Sequence, residues 1–191
     1  ARHLLPNAMV ATLTFMPFIL NASITTLTSG TLTFNGASGS IGTLTDGTFN
    51  LNGAAATVGT LSAGTVNLAA STALTVNDGT FGGSLLGSGS LIKATTGILT
   101  LTGPNLSFTG ATTINAGELI IQSANSLGSG AVTVAAGATL DLNSLAVTNA
   151  ITVATGGTIE NGPTAASTAV VAALSGTNSI NTVLTGTTGL A

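Results

Sequence analysis

Three segments decide the fold when set beneath one another: Ile24–Ser40 (ITTLTSGTLTFNGASGS), Ile41–Thr57 (IGTLTDGTFNLNGAAAT) and Val58–Leu74 (VGTLSAGTVNLAASTAL). Each opens on an aliphatic residue, and the starts lie seventeen residues apart. Leu27, Leu44 and Leu61 fall in one column. Gly30, Gly47 and Gly64 fall in a second, each followed by threonine. Leu32, Phe49 and Val66 make a third, and Phe34, Leu51 and Leu68 a fourth. A shortened copy is expected next, with Val76 and Phe81 in the places of Leu61 and Val66. Within a repeat the period is two: Thr31-Leu32-Thr33-Phe34 and Thr48-Phe49-Asn50-Leu51 alternate polar and apolar, which is strand patterning. Glycine and asparagine between the strands supply turns that need positive φ. Seventeen residues are too few for a sheet with its own two-sided core, but they suffice for one coil. Stacked coils pair strand on strand and bury a continuous apolar column. The expected fold is all-β, a single parallel β-helix (β-solenoid), whose core columns include Leu27, Leu32, Leu44, Phe49, Leu61 and Val66.

Composition narrows the chemistry. Of 191 residues only seven are formally charged, two basic and five acidic. They are Arg2, Lys93, Asp46, Asp78, Glu118, Asp141 and Glu160. Threonine supplies 36 residues and glycine 26, cysteine, tryptophan and tyrosine are absent, and the only histidine is His3. Nucleic-acid binding needs several Lys or Arg to displace counterions. Catalysis needs clustered titratable groups, and here they are scattered in sequence. Zinc and disulfide chemistry lack cysteine. The expectation is a non-enzymatic chain with no cofactor, no metal and no nucleic-acid partner. No apolar run reaches the ~20 residues of a membrane helix, so no membrane span is expected.

The second half keeps the style with looser spacing. Expected strands are Ser90–Ile92, Ile98–Thr102, Thr112–Ile114, Glu118–Gln122, Ala131–Val134, Thr139–Leu142, Ala150–Val153 and Thr158–Glu160. Val170–Leu174 reads as a buried strand or a short helical turn. The organisation expected is an N-terminal arm over residues 1–22, regular repeats over 23–86 and continuing, less regular solenoid over 87–191.

Residues 87–142 carry a family resemblance. Gly87-Ser88-Gly89-Ser90-Leu91-Ile92-Lys93, Gly97-Ile98-Leu99-Thr100-Leu101-Thr102-Gly103 and Phe108-Thr109-Gly110-Ala111-Thr112-Thr113-Ile114-Asn115-Ala116-Gly117-Glu118-Leu119 are followed by Ala124–Val134 and Gly137–Leu142. Together they resemble the autotransporter-associated β-strand repeat. Thr95 stands where that family usually has glycine. The resemblance implies a right-handed parallel β-helix on a large, secreted or surface bacterial protein.

Individual features take plain readings. Asp46, Asp78, Asp141 and Glu160 read as solvated turn residues rather than calcium ligands, which would have to converge. Lys93 and Glu118 are expected to form a surface ion pair, which contributes little. Asn50 and Asn67, one repeat apart, suit an amide ladder. Asn21 and Asn105 head N-glycosylation sequons. The apolar arm containing Leu4, Leu5, Val10, Leu13, Phe15, Phe18 and Leu20 resembles a signal peptide. Its alternation over Thr12–Phe15 favours a strand that caps the solenoid or docks on a neighbour. Low charge and unpaired end strands lead to the expected function: an extracellular or cell-surface structural subunit, self-assembling head to tail into a fibre or surface layer. The alternative is an adhesive passenger segment binding glycans or matrix. An ice-binding solenoid using threonine ladders stands third.

Overall fold

The computed structural model describes residues 13–14, 22–36, 38–53, 55–161, 168–174, 177, 179–180 and 183–184. Among them every regular element is a strand, and every strand pairing is parallel. The molecule is a β-solenoid.

In the first coils a long strand alternates with a short one. The order is β1 (Leu13–Thr14), β2 (Ala22–Leu27), β3 (Thr31–Phe34), β4 (Gly39–Leu44), β5 (Thr48–Leu51), β6 (Ala55–Leu61), β7 (Thr65–Leu68), β8 (Ala73–Phe81) and β9 (Ser84–Gly87). The short strands β1, β3, β5, β7 and β9 stack into one sheet. Thr31 lies on Thr48 and Thr48 on Thr65, so the seventeen-residue columns are the physical rungs. The long strands β2, β4, β6 and β8 form a second wall. The turn between the walls needs glycine. Gly47 has φ +89°, and a Cβ there would lie 2.6 Å from the carbonyl oxygen of Gly30 in the coil below. That carbonyl accepts a 2.8 Å hydrogen bond from Thr48 N, so the close approach and the inter-coil bond are one feature.

After β8 the long strand splits into two. One face carries β10 (Ser90–Lys93), β12 (Thr112–Ile114), β14 (Val132–Val134) and β16 (Ala150–Val153). The other carries β11 (Ile98–Leu101), β13 (Gly117–Ile121), β15 (Ala138–Asp141) and β17 (Thr158–Glu160). The third face turns from strand into loop. Its backbone is held by isolated inter-coil bonds, such as Asn105 N to Asn125 O at 2.9 Å, and by side chains as well: Asn105 Oδ1 accepts from Leu85 N at 2.8 Å, and Asn105 Nδ2 donates to Ser126 O at 2.6 Å. The chain continues into β18 (Thr168–Leu174), β19 (Ser179–Ile180) and β20 (Val183–Leu184). Val170–Leu174 is therefore strand.

The expected strands of the second half recur within two residues at either end. The copy after Val58–Leu74 differs from expectation: Val76 stacks on Val58, not on Leu61, and Val66 meets Leu85, not Phe81. The coil lengthens here instead of shortening, because extra residues enter the turns while the rungs keep their pairing.

The core is the stack of inward columns. Leu32, Leu44, Phe49, Leu61 and Val66 are buried, and Leu27 is half-buried against the same cluster. The rings of Phe34 and Phe49 meet edge to face at 5.2 Å, the geometry aromatic quadrupoles prefer. Of the self-association arm, Leu13 lies in β1, whose backbone pairs with this chain's own β3. Leu4, Leu5, Val10, Phe15, Phe18 and Leu20 lie outside the described residues, as does Asn21. Asn105, which heads the other sequon, is 2% exposed, and both ends of its amide are engaged within the wall.

Candidate functional site

A surface built from threonine, serine and asparagine offers neutral donors and acceptors in register. On the short-strand sheet the outward residues of β3, β5 and β7 are Thr33, Asn50 and Asn67 in one column. Asn50 Nδ2 donates to Thr33 Oγ1 at 3.2 Å, and Asn67 Nδ2 to Asn50 Oδ1 at 2.6 Å. Asn52 Nδ2 donates to Asn35 Oδ1 at 3.0 Å alongside. The amide ladder expected from Asn50 and Asn67 is present. The threonine column Thr26, Thr43 and Thr60 runs into Asp78 on the next rung. Thr60 Oγ1 donates to Asp78 Oδ1 at 2.9 Å, so this column ends in a carboxylate.

The acidic residues do not all stay apart. Glu118 (β13), Asp141 (β15) and Glu160 (β17) bring one carboxylate oxygen each within 4.8 Å of one another. Asp141 and Glu160 are direct rung partners, while Glu118 is partnered to Thr139 and leans toward them. This corrects the expectation of scattered titratable groups. The signal was hidden because the three lie twenty-three and nineteen residues apart, which matches no constant period, and because the rung partner of Asp141 on β13 is Ile120, so Glu118 joins the group from two residues away on the same face of its strand. Burial first, then a hydrogen bond with Glu160 and the charges of Glu160 and Asp141, raise the Glu118 pKa above its ordinary value. Chemically the group can share a proton. Its oxygens are of the kind hard cations take, but Asp141 Oδ1 already accepts a 2.7 Å bond from Asn143 N. Three gathered carboxylates alone assign no ion.

Lys93 is the second correction. It does not pair with Glu118 on the surface. It is fully buried, and its ammonium donates to the carbonyls of Thr95 and Ala116. Strand parity explains this: Lys93 shares the inward side of β10 with Leu91, and Ile92 takes the outward side. Burial lowers the Lys93 pKa, and the charge of Asp78 partly opposes the shift.

The family model for the passenger-associated-transport-repeat matches residues 91–121, the span from β10 to β13. The resemblance read from residues 87–142 is thus borne out over that span, and the repeat family implies a surface or secreted location. A 28-residue stretch of the chain is 89% identical to the peptidoglycan transport system permease protein YejE of Agrobacterium fabrum (strain C58 / ATCC 33970), covering 15% of this chain and 7% of that protein. It is 86% identical over 28 residues to the inner membrane ABC transporter permease protein YejE of Escherichia coli (strain K12), covering 15% of this chain and 8% of that protein. The chain therefore spans less than a tenth of the length of these curated relatives. No solved structure matches the chain. No helix among the described residues is long and apolar enough to cross a membrane.

Proposed function

We propose that this chain forms part of the wall of a passenger-type β-solenoid on a bacterial surface or secreted protein, where it acts as a non-enzymatic, rigid spacer. The observation that carries the reading is the position of the passenger repeat. It occupies the rungs β10 to β13, which stack without interruption between earlier and later coils. Spacer is favoured over glycan adhesin by the surface chemistry. The chain has no Trp or Tyr, and Phe34, Phe49, Phe81 and Phe108 are all buried. No ring among the described residues is left to stack on a sugar. An epitope inserted beside Leu106, which is 70% exposed, tests the reading in cells making the protein. Labelling of intact cells by an antibody that cannot cross membranes is expected. Labelling only after lysis would contradict it.

Assembly of copies head to tail into a fibre is a second reading. It is supported by weak like-charge repulsion, since the net charge is only −3. Sedimentation over a range of concentrations separates the two: a rising sedimentation coefficient with uniform filaments in negative stain supports the fibre, and a constant monomer removes it.

A further inference from the structure

The wall changes shape at one rung, and a buried lysine sits at that rung. Strand β8 is a single nine-residue strand. Its first half, Ala73–Val76, pairs with β10, and its second half, Gly79–Phe81, pairs with β11. Val76 is opposite Lys93 and Gly79 is opposite Leu99. Two residues separate the first pair of positions and five separate the second, so a turn of three extra residues bulges from the wall between Lys93 and Leu99. Every later coil keeps this break.

The turn leaves carbonyl groups without ladder partners, and buried carbonyls need donors. Lys93 supplies them. It occupies the inward column Val76–Lys93–Ile114–Val134–Val153, in which it is the only polar member. From there its ammonium reaches Thr95 O in its own turn and Ala116 O in the turn of the next coil, the latter at 3.3 Å. Thr95 in turn donates from Oγ1 to Asn77 O below at 2.8 Å. Three successive coils are thereby tied at the break.

We infer that Lys93 is a register lock, fixing the rung at which the continuous long strand gives way to the split pair. Apart from Thr112, the adjacent inward column Leu74–Leu91–Thr112–Val132–Ile151 is aliphatic, so hydrophobic burial discriminates poorly between this arrangement and one with the break a coil earlier or later. A buried ammonium does discriminate. It is tolerated only where carbonyls converge, and a slip of the next coil takes the Ala116 carbonyl out of its reach. Setting register is the best-attested use of a buried charged or polar group.

Amide hydrogen exchange on the wild-type chain and on Lys93→Met, a substitution of similar volume, tests the inference. The expected result is roughly tenfold faster exchange, the scale of one lost local tie, at Ala94–Gly97 and Asn115–Gly117, with Thr31–Leu68 unchanged. Exchange that is unaltered, or accelerated uniformly along the chain, overturns the lock. Should Lys93→Met fail to fold, the same variant lacking Thr95, Thr96 and Gly97 decides. Without the bulge the Thr95 carbonyl that the ammonium satisfied is gone, so recovered folding supports the lock and continued failure overturns it. In the wild type, Lys93 is the chain's single lysine, so acylation of the peptide that contains it, located by mass spectrometry apart from any α-amine, reads it directly. Protection until the chain is denatured is expected, and labelling at the denatured rate removes the proposal.

Discussion

Phe49 lies between Leu32 below and Val66 above, with Phe34 against its edge. It is fully buried, and each of its neighbours is held by a rung and cannot collapse inward. Phe49→Ala is therefore expected to cost ~3–5 kcal/mol, read from the shift of a denaturant unfolding midpoint at unchanged slope. Glu118 has the opposite character. Its folded pKa is raised, so the stability linked to its protonated form is fully present below the ordinary glutamate pKa and is lost as pH rises through the raised value. Glu118→Gln removes that dependence. It is expected to raise stability at pH 7 by on the order of 0.5 kcal/mol and to change little at pH 3, as measured by unfolding at the two pH values. Neither Lys93 nor Asn105 showed its role in the sequence. A lone lysine after an Ile reads as surface, and only its parity with Leu91 places it inside. The Asn-Leu-Ser sequon describes a chemical pattern but carries no information on burial.

Single turns decide how elements stack. Gly30 and Gly47 occupy the same corner of successive coils and both have positive φ, +85° and +89°. Their surroundings differ: among the described residues a Cβ on Gly30 meets nothing within 4 Å, while one on Gly47 meets the Gly30 carbonyl oxygen at 2.6 Å. Gly30→Ala pays the conformational strain alone, about 1 kcal/mol. Gly47→Ala must also push two coils apart and is expected to cost at least ~2 kcal/mol more than Gly30→Ala. Thermal unfolding of the two variants side by side checks this, and equal costs would mean that the coils are not in contact at that corner. At this scale the sequence was readable where the period was constant. Strands β3, β5 and β7 follow from the seventeen-residue columns. The coil after them was misaligned, because residues inserted in turns alter the spacing without altering the pairing. The carboxylate group of Glu118, Asp141 and Glu160 was missed for a second reason: Glu118 is not the rung partner of Asp141 but lies two residues away on the same face of β13, so no column alignment joins all three.

For the whole molecule, two-residue alternation and a coil-length repeat were enough to specify a parallel stack without a helix, because every inward position finds an equivalent one coil away. The family match covers residues 91–121 of that stack. The stack itself makes a numerical prediction. On one wall the outward positions Thr57, Thr75, Ile92, Thr113, Thr133 and Thr152 are consecutive rung partners. The chain has no cysteine, so paired spin labels can be placed without background. The most direct measurement is electron–electron distance by pulsed EPR in two double variants, Thr57→Cys with Thr133→Cys and Thr57→Cys with Thr152→Cys. At about 4.8 Å per rung the separations between backbones are about 19 Å and 24 Å, a difference of one rung for nineteen residues of chain. Narrow distributions differing by about 5 Å are the predicted result. Distances that are broad, or that do not grow by a single rung, would contradict the solenoid.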